Sequence, residues 1–336
     1  MFSSVVIGLG QIGLMYDFEE KRVHPSSHCL AYETNSHINL VAAADVNVTR
    51  ESDLHRIAAK TRFYNNYLEM LNENSQVDIV SICTPPINRF NELREIIEIS
   101  RARIIFCEKP LALNIEEAEH ILKLVQTYNG IIVPNISRRW IPEFIQIRDF
   151  IRSNQYGSLQ KIHARYTRGI YNSGTHLFDL IRWLTSDITE VFTANQVLTS
   201  ADKDNDPSYS FLFKLQDGQT GYAEAFDDRH YYFFEIDLYF ERGKIEIKQS
   251  GNQIFYYVNR AHSLFTGFQE LYIEKEFGQI LTQSALKLAI ENLISVLNEK
   301  DTPFCKLEDA CIPLYVGRAI ERSFQSKTWQ KVEVTI

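Results

Sequence analysis

The chain has 336 residues, enough for two domains at roughly 100–200 residues each. Its hydrophobic fraction of 45% can fill more than one core, and 21 Phe with 17 Tyr suit side-chain packing in wide sheets. With 35 Lys and Arg against 43 Asp and Glu, the net charge is −8 and no long basic run occurs, which disfavours nucleic acid and anionic membranes as partners.

Residues 2–7 read as a buried strand, followed by further strands at 39–45, 77–83, 103–107 and 130–134. Each is short and rich in Val, Ile or Ala, as strands covered on both faces are. Helical patterns fill the gaps. The clearest spans residues 114–128, with Asn114 as N-cap and Glu117 placed to reach back to it. Ile115, Ala118, Ile121, Leu122 and Val125 form its apolar face. This alternation predicts a doubly wound parallel sheet with right-handed crossovers.

After about residue 136 the rhythm changes. A helix is expected at 141–153, a strand at 159–166 and a helix at 175–184. Strands at 190–198, 209–215, 221–226, 231–240, 244–249 and 253–259 follow without intervening helices, as in a largely antiparallel sheet. Helices at about 279–298 and 307–324 and a short strand at 332–336 end the pattern. The predicted class is α/β with two domains, 1–136 and 137–336, the second an α+β domain with a large, mostly antiparallel open sheet.

The cysteines, Cys29, Cys83, Cys107, Cys305 and Cys311, are odd in number and include no Cys-x-x-Cys pair. A disulfide framework and a structural zinc site are therefore not expected. His24 and His28 are four apart, but Pro25 between them breaks a two-histidine helical face, so no metal is expected. No apolar run approaches the ~18 residues of a membrane span, and the first residues enter a strand pattern without a basic leader. A cytoplasmic location is the expectation.

Gly8-Leu9-Gly10-Gln11-Ile12-Gly13 directly follows the first strand and opens a helical pattern. In that context Gly8 permits a tight turn, Gly10 lets a pyrophosphate approach the backbone, and Gly13 lets helix and sheet pack closely. Asp45 ends the second strand, where a carboxylate accepts bonds from ribose hydroxyls and repels a 2′-phosphate, favouring NAD over NADP. Its spacing from Gly13 exceeds the usual ~20 residues, and an insertion around residues 17–25 accounts for the excess. The alternative for Asp45 is a plain strand-end cap. Thr84-Pro85-Pro86 follows the third strand and either borders the same crevice or forms a rigid turn.

Glu108-Lys109-Pro110 lies just past the fourth strand, on the sheet edge where ligands bind. A lysine there can hydrogen-bond a substrate oxygen and stabilise alkoxide charge. His176 opens an amphipathic helix with Leu177, Leu180, Ile181 and Leu184, and its imidazole can take a carbinol proton. Asn172, Thr175 and Asp179 are its neighbours, and Asp179 either orients the ring or pairs with Arg182. Arg138-Arg139-Trp140 suits an anionic substrate or cofactor, and reads equally as solvated charges.

The glycine motif, Glu108-Lys109-Pro110 and the Gly174-x-His176-x-x-Asp179 run, in this order, resemble the Gfo/Idh/MocA family of glucose–fructose oxidoreductase and inositol dehydrogenase. The resemblance covers nearly the whole chain. It implies a Rossmann domain holding NAD(P) and a second domain whose open sheet forms a homodimer or homotetramer. It also implies sugar, sugar-nucleotide or polyol substrates. Carried over by position, Gly8, Gly10 and Gly13 meet the pyrophosphate and Asp45 the ribose; Gln11, Ile12, Thr84, Pro85, Glu108 and Lys109 are also expected at the cofactor. Lys109 orients the substrate oxygen, His176 is the acid/base, and Asn172, Arg138, Arg139 and Trp140 complete the substrate set.

Two positions depart from the pattern. Many members carry Asp where this chain has Asn172, and an amide cannot act as a general base, so that role rests on His176. Members also often carry a histidine after the Thr-Pro turn, where this chain has Asn88-Arg89. Two alternatives to a dehydrogenase stay open. One is a redox-neutral glycosidase using bound NAD. The other is a non-catalytic NAD(P)-binding regulator, which the presence of both Lys109 and His176 disfavours.

Overall fold

The computed structural model describes residues 1–335. The first half alternates strand and helix. In order come β1 (Phe2–Ile7), α1 (His28–Glu33), β2 (Ile38–Ala44), α2 (Arg50–Ile57), β3 (Arg62–Tyr64) and α3 (Tyr67–Glu73). Then follow β4 (Ile79–Ile82), α4 (Arg89–Ile99), β5 (Ile104–Cys107), α5 (Ile115–Val125) and β6 (Ile131–Pro134). All six strands are parallel, in the order β3-β2-β1-β4-β5-β6. Val5, Val6, Ile79, Val80, Ile105 and Phe106 are all fully buried, so these strands show no period-two alternation. The strand order reverses between β1 and β4, and the loops leaving these two strands flank the crevice where such sheets take ligands.

Asn114 caps α5 as expected, accepting from the Glu117 N–H at 2.8 Å. The Glu117 carboxylate returns to the Leu113 N–H at 3.0 Å, one residue before the cap.

The second half contains α6 (Pro142–Arg152), β7 (Leu159–Thr167), α7 (Thr175–Leu184), β8 (Ile188–Val197), β9 (Ser208–Leu215) and β10 (Thr220–Phe226). It continues with β11 (Phe234–Phe240), β12 (Gly243–Lys248), β13 (Gln253–Ala261), β14 (Gln269–Gly278), α8 (Ala285–Leu297), α9 (Leu307–Ser326) and β15 (Gln330–Lys331). The nine strands form one sheet in the order β14-β13-β12-β11-β7-β10-β9-β8-β15. Among the described residues of this sheet, only β7 and β10 are parallel neighbours. On β7, Ile162, Ala164 and Tyr166 are buried, while His163 and Arg165 point to the other face. That face carries paired charges: Arg165 meets Asp237 at 2.9 Å and Glu235 at 3.2 Å, and Lys244 also pairs with Glu246.

Two compact units result. The first holds Met1–Ile141 and Thr282–Cys311, the second Pro142–Leu281 and Ile312–Thr335. The sequence suggested one boundary, at 136. In the structure α8 returns to the first unit, where Leu286, Ala289, Ile290 and Leu293 join a core with Val6, Leu9, Cys29 and Tyr32.

Three strand expectations need correction. The sheet of the first unit has six strands where five were expected, the short edge strand β3 (Arg62–Tyr64) having too few residues to show a pattern. The terminal strand is Gln330–Lys331, paired with β8, rather than 332–336, and Ile336 lies outside the described residues. Strand β14 was not foreseen because its Gln-Glu-Leu-Tyr-Ile-Glu-Lys-Glu sequence is charged and largely exposed. All five cysteines are buried and unbridged. Among the described residues no helix is long and apolar enough to cross a membrane, and no cluster of three metal-binding side chains occurs.

Candidate active site

In the first unit the site begins where β1 ends. Gly8 has φ +91°, and a Cβ there would meet the Thr84 nitrogen at 2.9 Å, so the two crevice loops pack backbone to backbone. A Cβ on Gly13 would fall 1.9 Å from the Gly8 carbonyl oxygen, so only glycine closes this turn. Gly10 differs: a Cβ there meets nothing within 4 Å, leaving open space in front of it. Gln11 is exposed and Ile12 half-buried beside that space.

The helical pattern that the motif opens is interrupted at the expected insertion. Leu14 and Met15 N–H groups both donate to the Gly10 carbonyl and Tyr16 to Gln11, giving one helical turn. The chain then loops out and returns. Asp17 clasps the loop: its carboxylate accepts from the Ser26 and Ser27 N–H groups, each at 2.7 Å, and lies 2.6 Å from His24 Nδ1. Helix α1 resumes at His28, capped by Ser27, and its His28 and Cys29 N–H groups donate to the Ile12 and Gly13 carbonyls. The inserted loop thus splits a helix that the glycine motif starts.

Asp45 turns back onto the glycine turn. One carboxylate oxygen accepts from the Leu9 N–H at 2.7 Å and the other from Asn47 at 2.8 Å. Each oxygen keeps a second lone pair for a further donor. Thr84 is held by its hydroxyl to Glu92 at 2.8 Å, and its carbonyl accepts from Arg89 at 2.7 Å. Burial raises the Glu92 carboxyl above its ordinary range. Arg89 is fully buried, with its Nε and Nη1 making no hydrogen bond. Pro85 is exposed at the loop tip.

Glu108 is 8% exposed. One of its oxygens, Oε1, lies 2.9 Å from His28 Nε2 and accepts from the Asn135 amide at 2.6 Å. Burial pulls the carboxyl up, but the bonds from His28 and Asn135 and the nearby Lys109 charge outweigh it, and the net shift is downward. Glu108 is therefore an anion beside the half-buried Lys109.

Arg139 and Trp140 were expected to meet substrate, and the structure gives them another task. Arg139 is 4% exposed and bonds Asp309 at 2.7 Å, while Trp140 stacks on Phe304 and donates to Asn135 at 3.2 Å. Both are interior supports of the first unit. Arg138 stays half-buried.

In the second unit Asn172 and His176 belong to one continuous segment. Gly169–Gly174 forms a π-helical turn that runs directly into α7, so His176 does not stand at a free helix start. Asp206 supplies the missing cap from a distant loop: its two oxygens accept from the Tyr171 and Asn172 N–H groups, each at 2.8 Å. Burial pushes the Asp206 carboxyl up to about 6. Gly169, at φ +73°, is packed so tightly on this carboxylate that a Cβ would lie 2.1 Å from it. Asn172 is exposed and His176 half-buried, while Leu177, Phe178, Leu180 and Ile181 anchor α7 beneath them. Arg182 pairs with Asp187.

Residues 2–135 match the family described as an oxidoreductase family with an NAD-binding Rossmann fold, and residues 167–246 match the GFO/IDH/MocA C-terminal domain. The chain belongs to the Gfo/Idh/MocA oxidoreductase family. A rhizopine catabolism protein MocA from Rhizobium meliloti is 28% identical over 211 residues, 58% of this chain and 65% of that protein. That match spans less than two thirds of the relative. A myo-inositol 2-dehydrogenase from Thermotoga maritima is 22% identical over 351 residues, 98% of each chain.

Among solved structures, a putative myo-inositol dehydrogenase from Sinorhizobium meliloti 1021 superposes with TM-score 0.75 at 20% identity, covering 99% of this chain and 100% of that one. A levoglucosan dehydrogenase in complex with NADH gives 0.78 at 15% identity, covering 99% of each. At these identities the likeness is one of fold. The first unit of this Gfo/Idh/MocA chain is thus an NAD-binding Rossmann domain. Sequence reading missed four supports of the candidate residues: Asp17, His28 and Asn135 in the first unit and Asp206 in the second. Each bonds a residue nine or more positions away, and none lies in a motif.

Proposed function

We propose that the chain is an NAD-dependent dehydrogenase acting on a secondary alcohol of a sugar, sugar derivative or cyclic polyol. One observation carries the cofactor part. The space before Gly10 is open, Gly13 closes the turn behind it, and the Asp45 carboxylate lies against Leu9. Gly8, Gly10, Gln11, Ile12 and Gly13 would cradle the pyrophosphate, and Asp45 would accept from the ribose hydroxyls, with Thr84 and Pro85 along the crevice. When bound, nicotinamide supplies the two-electron acceptor or donor for the carbinol carbon. Asp45 also repels a 2′-phosphate, which favours NAD over NADP.

Lys109, whose charge acts on the adjacent Glu108 carboxylate, would donate a hydrogen bond to the substrate oxygen and stabilise it as negative charge grows there. His176 would take the hydroxyl proton in oxidation and return it in reduction. Asn172 would orient a second hydroxyl, since an amide both donates and accepts. Arg138 is the remaining candidate for an anionic substituent. The substrate class rests on the inositol dehydrogenases the chain resembles. We assign the homodimer or homotetramer contact to the second unit's charged sheet face.

The test is direct. Lys109→Ala and His176→Ala should each abolish NADH formation from a polyol panel while NADH still binds. Wild-type turnover in both variants would refute the assignment.

A further inference from the structure

A buried chain of hydrogen bonds runs behind the Glu108-Lys109 pair. It starts at Tyr32, whose hydroxyl lies 2.6 Å from Ser81 Oγ, and Ser81 Oγ is 3.0 Å from His28 Nδ1. His28 Nε2 then reaches Glu108 at 2.9 Å, Asn135 bonds the same oxygen, and Trp140 bonds Asn135. Tyr32, Ser81 and His28 are fully buried.

With His28 as the neutral Nε2–H tautomer, every link takes one direction. Glu108 is an anion and can only accept, so His28 Nε2 donates. Burial pushes the Tyr32 phenol upward, so it keeps its proton, and in this arrangement it donates to Ser81. Ser81 then has one proton left, and His28 Nδ1 is its acceptor. In this tautomer each donor of the chain has an acceptor, which a buried network requires. The order also explains Asn135: Trp140 occupies its oxygen, so its amide nitrogen must face Glu108.

We propose that His28 is the positioning residue of the active lysine: it fixes the carboxylate that flanks Lys109. The inference rests on the dehydrogenase reading for what Lys109 does. Glu108 and Phe106 project from the same side of the β5 strand end, and the His28 ring packs on Phe106 with centroids 4.9 Å apart. His28 itself is set by the first turn of α1, whose cap, Ser27, is held by Asp17. The loop that splits the glycine-motif helix thus determines where the Glu108 anion sits.

Two substitutions separate positioning from mere packing. Glutamine places an amide nitrogen near the Nε2 position and keeps the donor to Glu108. Asparagine reaches only the Nδ1 position and loses that donor. His28→Asn should lower kcat on the order of tenfold or more with the Kd for NADH unchanged, whereas His28→Gln should stay near wild type. Both should lower Tm alike.

A second readout does not need turnover. Acylation of Lys109 by an amine-reactive ester, followed by peptide mass spectrometry, should be faster in His28→Asn than in His28→Gln or wild type, because the flanking anion is no longer fixed. Equal acylation and equal kcat in the two variants, or kcat that simply follows Tm, would overturn the proposal. A wild-type protein that oxidises no polyol, yet shows the acylation difference, would refute the dehydrogenase reading and leave the His28 role standing.

Discussion

Gly10→Ala and Gly13→Ala separate the two tasks of the glycine turn. At Gly10 an added Cβ meets no atom within 4 Å, and the backbone is outside the left-handed region. Alanine therefore fits, and should stabilise the free protein by about 0.4–1 kcal/mol by restricting the unfolded chain. The same methyl occupies the space assigned to the pyrophosphate, so the Kd for NADH should rise at least ~10-fold, about 1.4 kcal/mol. At Gly13 the added Cβ would lie 1.9 Å from the Gly8 carbonyl oxygen. A carbon–oxygen contact needs roughly 3.3 Å, so the turn must open by over an ångström. Overpacking against backbone costs about 1–3 kcal/mol or more, lowering Tm by several degrees even without cofactor. Thermal unfolding with and without NADH, plus fluorescence titration of NADH, reads both effects. A Gly10→Ala protein that binds NADH as wild type does would refute the placement of the cofactor. An unchanged Tm in Gly13→Ala would refute the packing argument.

Asp45→Ser should raise the relative affinity for NADP by on the order of tenfold, checked by titration with both cofactors, because the carboxylate that repels the 2′-phosphate is gone. Glu108→Gln should destabilise the fold by about 1–3 kcal/mol at neutral pH. Because the folded Glu108 pKa is depressed, its stabilising effect is full above the unfolded value of about 4.3 and fades as pH falls through the lower folded value. The Tm difference between wild type and variant should accordingly shrink in strong acid. Asp206→Ala removes the acceptor of the Tyr171 and Asn172 N–H groups. Amide exchange over residues 169–174 should accelerate and kcat should fall roughly 10- to 100-fold, with NADH binding retained.

The parallel sheet was legible because its strands are apolar on both faces and spaced by helix-length intervals. Helix α7 was read at its observed ends, since Leu177, Leu180, Ile181 and Leu184 mark one buried face. The glycine motif foretold the turn at Gly8 and the close packing at Gly13. What was not legible depends on distance along the chain. Asp206 caps a helical turn more than 30 residues before it, and nothing near either segment announces the match. His28 falls in the first turn of α1 only because Asp17 closes a loop, so its spacing from the motif gave no signal. Arg139 and Trp140 carry a functional composition but are buried against Asp309 and Phe304, partners that arrive from the far end of the chain. Strand β14 escaped notice because half of its residues are charged or amide and its apolar Leu271 and Ile273 are exposed.

The central claim is tested most directly by incubating the purified protein with NAD and a panel of cyclitols and sugars, while following NADH absorbance and the ketone product together. The account predicts NADH and ketone in equal amounts, NAD preferred over NADP, and no signal from Lys109→Ala. Sugar release without NADH, or a protein that binds neither NAD nor NADP, would contradict it.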